Sequence, residues 1–455
     1  MLPGISVPAK AGSEGAPWTL LGAVGGAILL GALLGLPTLI TVVAITIQVT
    51  FLAYFVRHLS FAMAAFRSAP ADLAAPLVET GYQPMVTVLV ACKNEVSVVA
   101  QLVSGLVALD YPRRRLEIIV IDDASDDGTS EALDRLALLQ PIRALHRPVG
   151  AGGGKSGALN EGLARATGEI IVIFDADHRP RTDVVRRLVR HFEDPSVAAV
   201  QGRCEISNTS DSPLTLLIGI DYLAGYLVNE YGRQAMYSLP AYGGANCAAR
   251  TDVLRSIGGW NVASVTEDTD LTLRVILSGR RVRFDVTAVD EEEGVTTIGR
   301  YWDQRYRWAR GHQQVWRDYR SAVWRSRRLT IGQKIETTMF LLAFHVPIAS
   351  ALGLILTVTW LGGLASPPFQ IDLFVLWMLL FLGPLLELGG GMLIARSDRS
   401  WARALFYFLP LFFVSIALCS KAWIDGVLGR PYSWVKTKRA SDRETGAFPL
   451  TSPST

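Results

Sequence analysis

Long apolar stretches and short alternating ones divide this chain into two kinds of territory. Runs of roughly the ~20 residues needed to cross a bilayer lie at 18–36, 39–55, 340–361, 373–394 and 404–422. Between them, from 83 to 300, the pattern shortens. Residues 86–90, 118–121 and 170–174 are β-branched runs of the sort that form strands buried on both faces of a parallel sheet. Helical patterns at 95–109 and 156–166 separate them. The expectation is an α/β domain, long enough to bury its own core, set between membrane helices.

Composition sharpens that picture. Half of the 455 residues are hydrophobic and 19% are charged, against about 25% charged in a typical soluble domain, which argues against a purely soluble protein. The first run is too long for a signal-peptide core and is followed across Pro37 by the second, so 18–57 is expected to be a transmembrane hairpin. Arg57 and Arg67 then place the globular domain on the cytoplasmic face of a multi-pass cell-membrane protein. Arg396, Arg399 and Arg403 mark the loop behind the fourth run as cytoplasmic too. A complete fifth span would export the C-terminus, against Lys436, Lys438, Arg439 and Arg443. Either 404–422, interrupted by Pro410, is not a simple span, or another run is miscounted.

The net charge of +3 does not suggest nucleic acid, and the informative charge is local. Ten of the 35 residues from Arg300 to Lys334 are Arg or Lys, interleaved with Trp302, Trp308, Trp316 and Trp324. That mixture suits helices lying on an anionic membrane face. Nucleic-acid binding competes, but no recognition-helix or RNA-module pattern accompanies the charge. Cys92, Cys204, Cys247 and Cys419 lack metal-ligand or framework spacing, which fits reduced thiols in the cytosol. The resulting division is a disordered N-terminus (1–17), the hairpin (18–57), the α/β domain (82–299), amphipathic interfacial helices (300–336), a C-terminal membrane region (337–425) and a basic disordered tail (426–455).

In open parallel sheets ligands bind beyond the carboxyl ends of the strands, and charged residues gather there. Asp122-Asp123 follows one strand and Asp175-Ala176-Asp177-His178 another. Carboxylates in such places lose hydration unless a metal or donors meet them. Asp123 suits hydrogen bonds to a nucleobase or ribose, and Asp177 a hard divalent ion that also binds diphosphate; capping and turn formation are the alternative for both. Residues 150–157 form a glycine-rich loop before a helix. A Walker motif would need glycine at 149, where Val149 stands, so an ATPase reading weakens while Lys155 keeps the option of a diphosphate contact. Thr266-Glu267-Asp268 opens a helix, where a carboxylate serves either as a cap or as a base. Gln304, Arg307 and Trp308 fall at i, i+3 and i+4, one helical face offering an amide, a cation and an aromatic plane; a packed interfacial helix would look the same.

The ordered set of motifs is what resembles a family. Asp122-Asp123, Gly154-Lys155-Ser156-Gly157-Ala158-Leu159-Asn160, the Asp175-Ala176-Asp177 DxD, Thr266-Glu267-Asp268 and the QxxRW at 304–308 are similar to those of membrane-integrated family-2 glycosyltransferases, which include cellulose, chitin, hyaluronan and poly-N-acetylglucosamine synthases. The resemblance runs from about Val86 to His312. It implies a GT-A (Rossmann-like) nucleotide-sugar domain inserted between transmembrane helices, using Mg²⁺ or Mn²⁺. It also implies roles. Asp122, Asp123, Lys155, Asp175 and Asp177 would bind the nucleotide sugar, usually a UDP-sugar, with Asp177 as metal ligand. Asp268, beside Glu267, would be the general base. Gln304, Arg307 and Trp308, with Gly244 and Asn246 of an acceptor-side loop, would hold the diphosphate and the acceptor. The expected reaction is inverting transfer to a glycan, processive and coupled to export; single transfer to a lipid is the alternative, and a nucleotide-driven transporter the outsider.

Overall fold

The computed structural model describes Gly26 and residues 35–78, 80–362 and 373–430. The segment 1–17, nearly all of the first apolar run and the tail beyond 430 lie outside the described residues. In chain order the elements are α1 (Leu36–Ala74), β1 (Val86–Cys92), α2 (Val99–Val107), β2 (Leu116–Asp122), α3 (Thr129–Leu139), β3 (Arg143–His146), α4 (Gly154–Arg165), β4 (Ile170–Asp175), β5 (Arg179–Pro180), α5 (Val184–Val189) and β6 (Val197–Ile206). There follow α6 (Pro213–Ala224), α7 (Tyr231–Tyr237), β7 (Cys247–Arg250), α8 (Thr251–Ser256), α9 (Glu267–Leu277), β8 (Arg281–Glu292), α10 (Ile298–Arg325), α11 (Ile331–Leu342), α12 (Val346–Leu361), α13 (Leu373–Ile394) and α14 (Phe408–Val427).

Eight strands make one mixed sheet in the order β3-β2-β1-β4-β7-β6-β8-β5. Strands β3, β2, β1 and β4 are parallel, and β7 runs antiparallel to both β4 and β6. Alternate residues divide between the faces. Leu89, Ile119, Ile121, Ile171 and Ile173 enter one core; Val88, Val90, Val120, Val172 and Phe174 enter the other. Burial on both faces is why these strands read as continuous apolar runs rather than alternating ones. Pairing of Cys92 with Asp122, Asp122 with His146 and Ala91 with Asp175 makes the parallel strands end level. Their loops therefore leave along one rim.

Among the described residues, three helical stretches are long and apolar enough to cross a membrane: Pro37–Ala74, Ile331–Val358 and Arg399–Val427, with mean hydropathy 2.2, 2.2 and 1.9. The expected single run at 340–361 is interrupted. Helix α11 ends in a 3₁₀ turn, Ala343–His345, and Pro347 sits in the first turn of α12. The run at 404–422 opens as the 3₁₀ segment Arg399–Tyr407 before α14. Ala404, Leu411, Leu418 and Ala422 of this stretch share one core with Ile220 and Ala224 of α6 and Ala309 of α10. Its start packs on α6 and its end on α10. Leu388 and Met392 of α13 enter the same core, so this stretch packs against helices of the domain and of the apolar region alike.

A buried ion network joins the membrane helices to the domain. Glu336 of α11 accepts from Arg57 of α1 at 2.9 and 2.8 Å and from Arg233 of α7 at 3.1 Å. Arg57 also reaches Asn229 at 3.0 Å, and His58 Nδ1 lies 2.5 Å from Glu387 of α13. Arg233 further lies over the Phe340 ring, 3.8 Å from its centroid. Asn229 belongs to the π-helical stretch Gly225–Glu230, which joins α6 to α7. Removing one partner from a buried pair leaves an uncompensated charge, at about 3–5 kcal/mol. Glu336→Ala, stranding two arginines, should lower the unfolding midpoint in detergent accordingly, and an unchanged midpoint would show that the network does not hold the domain to the helices.

Candidate active site

The rim of the parallel strands gathers the charged residues that the sequence sets far apart. Lys155, in the first turn of α4, lies at their centre. Its Nζ is 2.5 Å from Asp175, 3.9 Å from Glu267 and donates to the Gly244 carbonyl at 3.1 Å. Burial alone would lower its pKa, but Asp175 and Glu267 outweigh that and raise it. Residues 155, 175, 244 and 267 come from four separate segments and meet at one charge centre.

The two aspartates after β2 have separate environments. Asp122 is buried and accepts from the Ser125 N–H, the Ser130 hydroxyl and the His146 ring, which overcome burial and lower its pKa. Its side chain shapes the turn into α3. Asp123 instead pairs with Arg147, whose other nitrogen donates to the Gly152 carbonyl at 2.6 Å. Arg147, just past β3, thereby ties Asp123 to the glycine-rich loop.

Beyond β4, Asp175 and Asp177 are half-buried on a tight turn, and Asp177 lines a small crevice with Glu293. Their donor set is carboxylate oxygen, which fits a hard divalent ion such as Mg²⁺ or Mn²⁺. His178 anchors the turn from behind, with Nδ1 2.5 Å from Asp290 and Nε2 3.0 Å from Glu292. Burial would discharge this ring, but Asp290 and then Glu292 raise its pKa well above the ordinary value.

Asp268 lies in the first turn of α9. Its Oδ1 accepts from the Thr269 N–H at 2.6 Å, while Oδ2 borders the Gly243-Gly244 loop. Gly244 has φ +78°, and a Cβ there would lie 3.2 Å from the Asp268 Cβ and 3.3 Å from Oδ2; the loop needs glycine to approach. Burial, and then Glu267, raise the Asp268 pKa to about 6, against the Thr269 N–H, Lys155 and Arg307. Asn246 takes a different place. It is fully buried, and its Nδ2 donates to the Arg203 and Ala288 carbonyls inside the sheet, so the structure does not bring it to the cleft.

Helix α10 closes the site. Its buried stripe of Gly311, Val315, Tyr319 and Val323 faces the domain. The Tyr319 hydroxyl donates to Asp270 at 2.8 Å, and Asp270 is held by Arg274 at 2.6 Å. At Gly311 the helix touches the turn that carries Asp268, for a Cβ there would stand 2.1 Å from Thr266 Cγ2. Arg307 thereby comes close enough to lower the Asp268 pKa. Trp308 is stacked by Arg305, 4.2 Å from the ring, and Arg305 pairs with Asp221 of α6 at 2.6 Å. Arg147, His178, Arg305 and Gly311 are contributions that motif spacing did not reveal, although Gly311 and Arg305 lie within three residues of Trp308.

Residues 87–258 match the family model described as Glycosyl transferase family 2. The chain is 36% identical over 284 residues to a beta-monoglucosyldiacylglycerol synthase of Synechocystis sp., covering 61% of this chain and 58% of that protein. It is 29% identical over 393 residues to a probable glycosyltransferase, YdaM, of Bacillus subtilis, covering 80% and 89%. Among solved structures, a mannosyltransferase from Pyrobaculum calidifontis in complex with GDP-Man and Mn²⁺ superposes with a TM-score of 0.57 at 21% identity, over 85% of this chain and 100% of that one. That likeness concerns the fold.

A carboxylate must be ionised to accept a proton, so with Asp268 near 6 transfer should be flat above neutrality and fall about tenfold per unit below pH 6. Asp268→Asn should lose about 10²–10⁴ in turnover with donor affinity little changed. Initial rates from pH 4.5 to 8.5 check the first, and single-turnover rates with nucleotide titration the second; near-normal turnover in the variant would return Asp268 to a capping role.

Proposed function

We propose, from the match of residues 87–258 to the Glycosyl transferase family 2 model and from the GT-A-like fold, that the protein moves one sugar from a nucleotide sugar to a hydroxyl of a lipid at the membrane surface, with inversion. The observation that carries the reading is the base. Asp268 sits between the donor-side charges of Lys155 and Asp175 and the helix α10 that meets the apolar elements. The named similarity to a diacylglycerol glucosyltransferase favours a lipid acceptor over processive polymerisation and export.

In this scheme Asp123, set by Arg147, receives the nucleoside, and Lys155 and Arg307 face the diphosphate. A divalent ion held by Asp177, Mg²⁺ or Mn²⁺, supplies charge neutralisation at the diphosphate when bound. The acceptor oxygen attacks the anomeric carbon from the face opposite the diphosphate. Its proton passes to Asp268, the carbon–oxygen bond to the diphosphate breaks, and an α-linked donor gives a β-linked product. Trp308, stacked by Arg305, offers the plane on which the acceptor end rests. Positive residues in the C-terminal half of α1, Arg57 and Arg67, support a cytoplasmic domain in a multi-pass protein, divided into domain 82–299, interfacial 300–336 and membrane 337–425.

The test is the product. Protein in nanodiscs given radiolabelled UDP-sugars and diacylglycerol should yield a discrete monoglycosylated lipid, with nucleotide release that depends on a sugar donor and not on ATP; a polymer ladder would overturn the single-transfer reading. Asp177→Ala should remove the metal-dependent tightening of nucleotide binding while the fold, carried by the buried strands, melts as before. Equal metal-dependent affinity in that variant would contradict the assignment of Asp177.

A further inference from the structure

Helix α10 has a second polar stripe, turned away from the site. Arg310, Gln313, Arg317 and Arg320 recur at intervals of three, four and three residues, on the face opposite Gly311, Val315 and Tyr319. This stripe lines a cavity of about 580 Å³, closed on its other sides by His345 at the start of α12 and Trp423 at the end of α14. Trp316 and Trp423 furnish its aromatic surface, and among the described residues no carboxylate lines it. Arg310 donates to the Ala422 and Arg430 carbonyls at 3.2 and 3.0 Å, which fixes α14 to α10. Arg317 and Arg320 project farther out and are exposed.

We propose that this cavity binds the phosphate of an anionic phospholipid headgroup. Three features of the cavity favour that occupant. Its lining carries three guanidinium groups and no carboxylate, Arg317 also pairing at 3.7 Å with Asp318 outside the lining, so it favours an anion, and arginine suits phosphate geometrically. Its volume falls in the range of small-ligand sites, about 300–1,000 Å³. It opens between three helices of which two, the α11–α12 and α14 stretches, have membrane-like hydropathy, and its two tryptophans are residues that membrane interfaces favour. The chain's own tail is a poor occupant, because its first charged residues beyond Arg430 are Lys436, Lys438 and Arg439. Through the Gln314 amide, which donates to the Ala263 carbonyl at 3.0 Å, and its oxygen, which accepts from the Val265 N–H at 3.1 Å, the same wall touches the loop leading to Asp268.

The site rests on the membrane placement proposed above and not on the transferase reading. It is tested in nanodiscs of phosphatidylcholine with and without phosphatidylglycerol, counting lipids retained on the full-length protein by native mass spectrometry after mild extraction. Phosphatidylglycerol should be retained over phosphatidylcholine by about tenfold or more. Arg317→Gln with Arg320→Gln should cut that preference by about ten- to thirtyfold, the loss of two headgroup attractions, with an unchanged melting curve. Inorganic phosphate at tens of millimolar should not displace the lipid. Equal retention of the two lipids, full retention by the double variant, or displacement by inorganic phosphate would each overturn the proposal. Sugar transfer in phosphatidylcholine alone is scored separately, so the two readings fail independently.

Discussion

The contact between Gly311 and Thr266 is the constraint on which the site's geometry turns. A helix at the edge of the apolar region presses its backbone against the turn that presents Asp268, with no room for even one methyl group between them. Everything else on α10 is spaced from that point. One turn back, Arg307 reaches the field of Asp268 and Trp308 lies under Arg305; two turns on, Tyr319 closes onto Asp270. Asp268, Arg307 and Trp308, which the proposed transfer uses as base, diphosphate cation and acceptor plane, are therefore placed by one contact, as catalysis by positioning would require.

Charge is concentrated at the rim, and the protein balances it internally. Lys155 is surrounded by Asp175, Glu267 and Asp268, so one ammonium group offsets the mutual repulsion of the carboxylates gathered there. Asp268 emerges with its pKa raised to about 6. It is ionised at neutral pH and still basic enough to take a proton as the acceptor hydroxyl attacks. Farther back, His178 between Asp290 and Glu292 holds the DxD turn to the end of β8, while the Glu336 network does the same for the membrane helices. Each is a buried ion group whose partners come from distant segments, and each fixes a joint between elements.

Much of this was legible in the sequence where the signal was local. The strands β1, β2 and β4 are visible because burial on both faces leaves unbroken β-branched runs, and the motif residues after them converge because parallel strands in register end level. The long apolar helices are visible from hydropathy. Four things were not. Strand β3 is short and half-exposed, so it carries no apolar run, and Arg147 behind it went unseen. Asn246 sits among motif-like residues, yet its amide serves the sheet. Hydropathy marks the run at 404–422 but not its neighbours, and Ala404, Leu411, Leu418 and Ala422 share a core with α6, α10 and α13, segments far apart in the chain. Buried ion pairs such as Arg57 with Glu336 join residues nearly three hundred positions apart, and no window along the chain contains both.

The central claim is that α10 sets the base and the acceptor platform by direct contact. The most direct measurement is the turnover of Gly311→Ala at saturating donor, together with its nucleotide affinity and its melting curve. The added Cβ would stand 2.1 Å from Thr266 Cγ2 and 2.7 Å from its Cβ, so the helix must retreat rather than one side chain rotate. The account predicts a loss of about 10²-fold in turnover, the effect of roughly a 1 Å misplacement, with nucleotide affinity close to that of the unaltered protein and the fold retained. Turnover near the unaltered value in a folded Gly311→Ala protein would contradict it, and would leave α10 as packing beside a site that works without it.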